Sequence, residues 1–181
     1  DENFRGLILV RKDSGINQIT DLKGKKISYP APTALAAIML PQHFIHTHGL
    51  DVNKETESLY VGSQESSIMN VYLKQVAAGA TWIFPWQNFL KEKPEIAKEL
   101  EVKWETTELP NCGLLVRQDV PQAIVDKVSQ LLFSLHTTPE GQEILARMPL
   151  SKFEKANHQT YQVVRDFIHT FTTTIRPITS P

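Results

Sequence analysis

Lys26-Ile27-Ser28-Tyr29, followed by Pro30-Ala31-Pro32-Thr33-Ala34-Leu35-Ala36-Ala37, reads as a short strand that stops at prolines and opens into a helix. The same grammar recurs downstream. Thr56 to Val61 has strand character, Gly62-Ser63 is a turn and N-cap signal, and Ile68, Met69, Val71, Tyr72 and Val76 keep helical spacing up to Gly79. Upstream, Leu7-Ile8-Leu9-Val10 is an apolar run suited to a buried strand, and Ile19 to Leu22 is a helical turn halted by Gly24. The first long helix is predicted from Thr33, its N-cap, to His48, with Gly49 at the C′ position. Pro41 lies inside it and should kink or divide it.

The second half continues with Thr81-Trp82-Ile83-Phe84 as a strand stopped by Pro85. An amphipathic stretch from Glu95 to Leu100, a strand from Val102 to Thr106 and a buried strand from Cys112 to Val116 follow. Three helices close the chain. One opens at Val120-Pro121, with Ile124, Val128, Leu131, Leu132 and Leu135 on one face; the next opens at Thr138-Pro139-Glu140; the last runs near Gln159 to Phe171. The polar tail from Thr172 to Pro181 reads as frayed or as a linker. Strands alternating with helices predict an α/β fold with a mostly parallel sheet.

Composition bounds the function. The 181 residues carry 41% hydrophobic and 22% charged residues, which excludes a disordered, collagenous or coiled-coil chain. A net charge of −1 gives no basic footprint for nucleic acid. No apolar run is long enough to span a bilayer, about 18 residues. The single cysteine, Cys112, excludes an internal disulfide and a thiolate zinc cluster, and its apolar setting suits a core residue. Asp1-Glu2-Asn3 is not a signal peptide, so the first residue is read as the product of a cut.

Chemistry is sparse. There is no Gly-x-Ser-x-Gly elbow and no glycine-rich phosphate loop, and no acid–base–nucleophile set can be assembled, so no enzymatic activity and no cofactor are expected. His43 and His46 share a helix face and could hold a metal; a solvated helix end explains them as well. Trp82, Trp86 and Trp104 suit core or interface positions, and Trp82 could also wall a pocket. The two strand-to-helix turns stand out. In open α/β sheets ligands gather beyond the carboxyl ends of strands, where helix N-termini favour anions. Thr33, Ser63 and Ser66 add hydroxyls, although Thr33 and Ser63 would serve equally as helix caps.

The order and spacing of several segments resemble the phosphate/phosphonate-binding family of periplasmic substrate-binding proteins. Gly6 to Ile16 with Asp21 to Tyr29 is similar to the family's entry to its second lobe. Pro30 to Ala37, then Pro41, resembles its first anion turn, and Val61-Gly62-Ser63-Gln64-Glu65-Ser66 through Asn70-Val71 resembles its second. Ala77-Ala78-Gly79-Ala80-Thr81 is similar to the following helix–strand junction, and Val120-Pro121 with Thr138-Pro139-Glu140-Gly141 to the closing helices. The chain departs from the pattern in two places. Ala34, Leu35, Ala36 and Ala37 replace a Ser-Thr-Ser-Gly run, and Gln64 stands where a histidine is common. Each lost hydrogen bond to a charged ligand costs about 1.5–3 kcal/mol. Glu65 matches a frequent acid.

The resemblance implies a type 2 periplasmic-binding-protein-like α/β fold, with one complete lobe and an incomplete second lobe joined by hinge strands. Residues 1–20 would be a hinge strand and part of the first lobe, 21–110 the second lobe, 111–171 the mainly helical return to the first lobe, and 172–181 a tail or linker. A segment before Asp1 would complete the first lobe; without it a sheet edge is exposed that a second copy of the chain could cover. The implied function is extracytoplasmic, in the periplasm or its equivalent: binding a small oxyanion and delivering it to the membrane permease of an ABC importer. The alternative is a sensor domain feeding a kinase, with an altered ligand. The implied site comprises Thr33, Ser63, Gln64 and Ser66 with the backbone of Ala34 and Glu65. Tyr29, Tyr60, Thr81 and Trp82 line it.

Overall fold

A computed structural model describes residues 4–147 and 150–178. They divide into two compact units, one holding residues up to 109 together with those from 163, the other holding 110–162.

The larger unit is built on a five-stranded sheet. Its strands are β1 (Gly6–Arg11), β2 (Lys26–Tyr29), β3 (Glu57–Tyr60), β4 (Ala78–Trp82) and β5 (Leu100–Glu105), in the order β3-β2-β4-β1-β5. β2 runs parallel to β3 and β4, whereas β1 is antiparallel to both β4 and β5. The sheet is therefore mixed, with its parallel part confined to the three strands that carry the helix-opening turns.

The unbroken apolar run at Leu7-Ile8-Leu9-Val10 follows from its central position, where both faces are covered. Ile8 and Val10 join Ile27, Tyr29, Ala78 and Ala80 on one face. That face is roofed by a π-helical turn, Leu35–Met39, continuing into α1 (Leu40–Thr47), and by α7 (Gln162–Thr174). Leu7 and Leu9 point the other way, onto α2 (Gln64–Tyr72), α3 (Ile83–Glu92) and α4 (Pro94–Ala97) through Ile68, Val71, Trp86, Phe89 and Ala97. The result is three layers, helix–sheet–helix.

Several local expectations change. Pro41 does divide the helix: it stands in the first turn of α1, where no amide hydrogen is needed, and the preceding turn is π-wound. Thr33 does not cap it. The N-cap position is Ala34, with no side-chain cap bond. α2 ends at Tyr72, with Lys74 at φ 60°, and Gly79 lies inside β4. The strand expected at Thr81 to Phe84 is thus displaced toward Ala78, and Pro85 belongs to the first turn of α3. Small residues disguise this strand because α2 presses against it. A Cβ on Gly79 would stand 2.6 Å from the Ser67 carbonyl oxygen and from Val71 Cγ2, and 2.9 Å from Ser28 Oγ.

The expected tail is also partly structured. α7 runs to Thr174, Ile175 is buried and Arg176 is bonded to the core, whereas Thr179, Ser180 and Pro181 lie outside the described residues. β1, assigned from sequence to a hinge and a first lobe, lies in the sheet of the larger unit.

The smaller unit contains α5 (Gln122–Ser134), a 3-10 turn (Leu135–Thr137) and α6 (Pro139–Arg147). Pro139 opens α6 as predicted, and Thr138 Oγ1 accepts the Gly141 amide at 3.1 Å. Tyr161 donates its hydroxyl to the Asn111 carbonyl at 2.8 Å. The strand expected at Cys112 to Val116 is absent, because no described strand pairs with it. Cys112 is exposed rather than a core residue, and Leu114, Leu115 and Val116 are 71%, 99% and 55% exposed. The apolar face of α5 is likewise open at Ile124, Val128 and Leu131.

The close approach at Gly79 yields a test. Gly79→Ala forces a methyl into backbone and should cost about 1–3 kcal/mol, as overpacking does. The urea midpoint should fall without a change in slope; an unchanged midpoint would mean that α2 can retreat freely.

Candidate functional site

Because β2, β3 and β4 are parallel neighbours, their carboxyl ends lie along one edge of the sheet. Each ends in a turn that opens a helix: Pro30 to Ala34 before the π turn and α1, Val61 to Ser63 before α2, and Trp82 directly before α3.

The first turn is held from behind. Arg176 Nη2 donates to the Pro32 carbonyl at 2.6 Å, and its Nε donates to Gln42 Oε1 at 3.0 Å. The guanidinium also lies 5.3 Å from the centroid of Phe171. The amides of Ile38 and Met39 both reach the Ala34 carbonyl, which closes the wide π turn. Thr33 is exposed beside it. Tyr29, at the end of β2, is sealed at 0% exposure, its hydroxyl included. Burial, helped by the neighbouring Tyr60, pushes that hydroxyl's pKa above the usual phenol range. Tyr29 therefore supports the turn from the core and is not a pocket wall. His43 packs its ring edge-on to Phe167, 5.3 Å between centroids, and burial followed by the nearby His46 lowers its pKa. Among the described residues no three metal-ligating side chains converge.

The second turn is ordered by its own hydroxyls. Gly62 has φ +81°, a conformation costly for other residues. Ser63 Oγ accepts the Ser66 amide at 3.0 Å and donates to Ser66 Oγ at 2.8 Å. Ser63 thus caps α2. Tyr60 is 45% exposed at the strand end. Glu65 is ion-paired with Lys93.

The second and third turns are coupled. Thr81 is fully buried and donates its hydroxyl to Gln64 Oε1 at 2.8 Å. With that oxygen occupied, Gln64 presents its amide as a donor. Thr81 acts through Gln64, since it has no exposed surface of its own. Trp82 is partly buried, 5.7 Å from the ring of Phe4 and 5.0 Å from Phe84. The sequence reading missed Phe4, Phe84 and Arg176. The two rings sit too far apart in sequence to be paired by spacing, and Arg176 lies in the supposed tail.

The geometry is one of helix starts gathered along one sheet edge, a Gln64 amide oriented by Thr81 and an aromatic cluster at Trp82. A family model described as "ABC transporter, phosphonate, periplasmic substrate-binding protein" matches residues 1–161. The chain belongs to this family of periplasmic substrate-binding proteins.

Among curated relatives, the probable ABC transporter phosphite-binding protein PhnD1 of Prochlorococcus marinus is 21% identical over 179 residues, covering 92% of this chain and 60% of the relative. The phosphonates-binding periplasmic protein of Escherichia coli is 21% identical over 158 residues, covering 85% of this chain and 47% of the relative. The chain thus spans about half to three fifths of the length of these relatives. Among solved structures, a binding-protein component of an ABC phosphonate transporter from Pseudomonas aeruginosa superposes with a TM-score of 0.80 at 21% identity, over 92% of this chain and 57% of its own. These likenesses establish the periplasmic-binding-protein fold. No described helix is long and apolar enough to cross a membrane.

Arg176 provides the test of how the first turn is held. Arg176→Ala should lower stability by about 1.5–3 kcal/mol, the worth of a charged hydrogen bond. Hydrogen exchange should quicken in residues 30–39 while β1 stays protected. Arg176→Lys should recover only part, because one ammonium lacks the planar fork. Unchanged exchange in residues 30–39 would remove Arg176 from this role.

Proposed function

We propose that this chain forms the ligand-holding part of an extracytoplasmic solute-binding protein. It binds a small oxyanion of the phosphonate or phosphate kind and delivers it to an ABC permease. The observation that carries this reading is the single sheet edge where three parallel strands deliver three helix starts, in a chain of the phosphonate-binding family. Helix starts leave unpaired amides and a positive dipole end, which suit an anion. The relative from Prochlorococcus marinus has been solved with methylphosphonate bound, which agrees with that chemistry.

The ligand donors are the Gln64 amide, the Thr33 and Ser66 hydroxyls and the backbone amides of Ala34 and Glu65. Ser63 contributes by ordering the turn, and Tyr60 and Trp82 flank it. Binding and release need no covalent step, so the chain works without enzymatic activity. The sensor alternative draws less support from the tail, because residues 172–176 are anchored to the core.

A thermal-shift series with methylphosphonate, phosphate, phosphite and sulfate tests the proposal. A ligand at about 100 times its dissociation constant should stabilise the protein by roughly 2.7 kcal/mol. Gln64→Ala should weaken the best ligand by about tenfold to a hundredfold, one charged hydrogen bond. If no oxyanion shifts the melting temperature, the proposal fails.

A further inference from the structure

We propose that the natural ligand is an oxyanion carrying an apolar, ring-sized substituent, and that Trp82 with Phe4 and Phe84 forms the wall for that substituent. This rests on the oxyanion-binding reading of the same sheet edge, and it names the class of ligand.

Two features of the turns decide against more polar candidates. The first is charge. Residues 30–35, 61–66 and 82–85 contain one charged side chain, Glu65, and Lys93 already neutralises it. Arg5, near the start of β1 on this edge, is likewise matched by Glu105 at 3.0 Å. The turns themselves carry no cationic side chain, and Arg176, whose donors go to the Pro32 carbonyl and Gln42, leaves a single positive charge behind the first turn rather than the two that a doubly charged head would want. The Gln64 amide, held by Thr81, supplies a neutral donor only. The head that fits is a singly charged or charge-diffuse oxyanion. A ligand with an ammonium group fares no better: the one carboxylate on the turns is taken, and three helix starts give a positive field.

The second feature is the third turn. Where the first two offer serines, threonine and small residues, Trp82-Ile83-Phe84-Pro85 offers only apolar side chains. Trp82 and Phe84 meet edge to face, and Phe4 tilts against Trp82. All three rings are partly exposed. Trp82 also packs against the small buried cluster of Ala36, Leu40 and Leu109. It therefore shares a cluster with the start of the first helix. Leu35, Ala36 and Ala37 supply no side-chain donors there. Tilted and edge-on rings present apolar edges and partial faces, a surface suited to another ring or a branched alkyl group.

The test compares benzylphosphonate, methylphosphonate, 2-aminoethylphosphonate and phosphate by calorimetry on the protein and on Trp82→Leu, whose folding is verified by its melting curve. Benzylphosphonate should bind at least about tenfold tighter than each of the others, the worth of roughly one well-packed ring contact. Trp82→Leu should bring benzylphosphonate down to the level of methylphosphonate. Phe84→Leu should act in the same direction and guards against a folding defect in the first variant. If 2-aminoethylphosphonate or phosphate binds as tightly as benzylphosphonate, the proposal is overturned while oxyanion binding stands. It is equally overturned if Trp82→Leu weakens all four alike. If none of the four binds, the oxyanion reading fails and takes this proposal with it.

Discussion

The contact between α2 and the sheet at Ser28, Ser67 and Gly79 is the constraint on which the larger unit depends. Ser28 Oγ donates to the Ser67 carbonyl at 2.9 Å, while Ser67 Oγ lies 2.7 Å from the Ala80 carbonyl and 3.0 Å from that of Ser28. All of these groups are buried, so each bond left unmade would cost its desolvation as well. The clasp joins β2, β4 and α2 at one point, and the missing side chain of Gly79 lets the helix come close enough to make it. Because α2 is fixed there, its first turn falls beside β4, and Gln64 meets Thr81. The orientation of the Gln64 amide is a downstream result of backbone proximity in the core.

The layers divide the labour. The face under α2, α3 and α4 is bonded by this polar clasp. The opposite face is closed mainly by apolar packing, with α7 laid over Ile38, Met39 and Ile45. Arg176 then carries the C-terminal segment back to the Pro32 carbonyl. A residue far along the chain thereby shapes the first turn, which has no side-chain cap of its own. A π turn at that place is consistent with a helix start that needs outside support.

Much of the fold was legible where hydrophobic period and turn chemistry agree. Leu7 to Val10, Lys26 to Tyr29 and the Ser63 cap are all local signals, and they stand as read. β4 was shifted because Ala78-Gly79-Ala80 has weak strand propensity, and its small side chains answer to α2, a contact the local sequence does not contain. Cys112 to Val116 failed for the opposite reason: strong strand propensity does not make a strand without a partner edge. In the site, the polar residues on strand-to-helix turns could be found from sequence. Tyr29 could not be told from a wall residue, since nothing local says that its ring turns inward. Phe4 reaches Trp82 only after β1 pairs with β4, Gly6 opposite Trp82.

The open segment at Leu114, Leu115 and Val116 has a consequence for how the chain behaves in company. Three consecutive apolar residues outside the described sheet form a template for intermolecular strand addition. Only Arg117, locked to Asp119, stands next to them as a charged gatekeeper. The open stripe of Ile124, Val128 and Leu131 on α5 belongs to the same unit. Net charge alone therefore does not describe the chain's colloidal character: six apolar side chains between residues 114 and 131 stay open to solvent in the smaller unit.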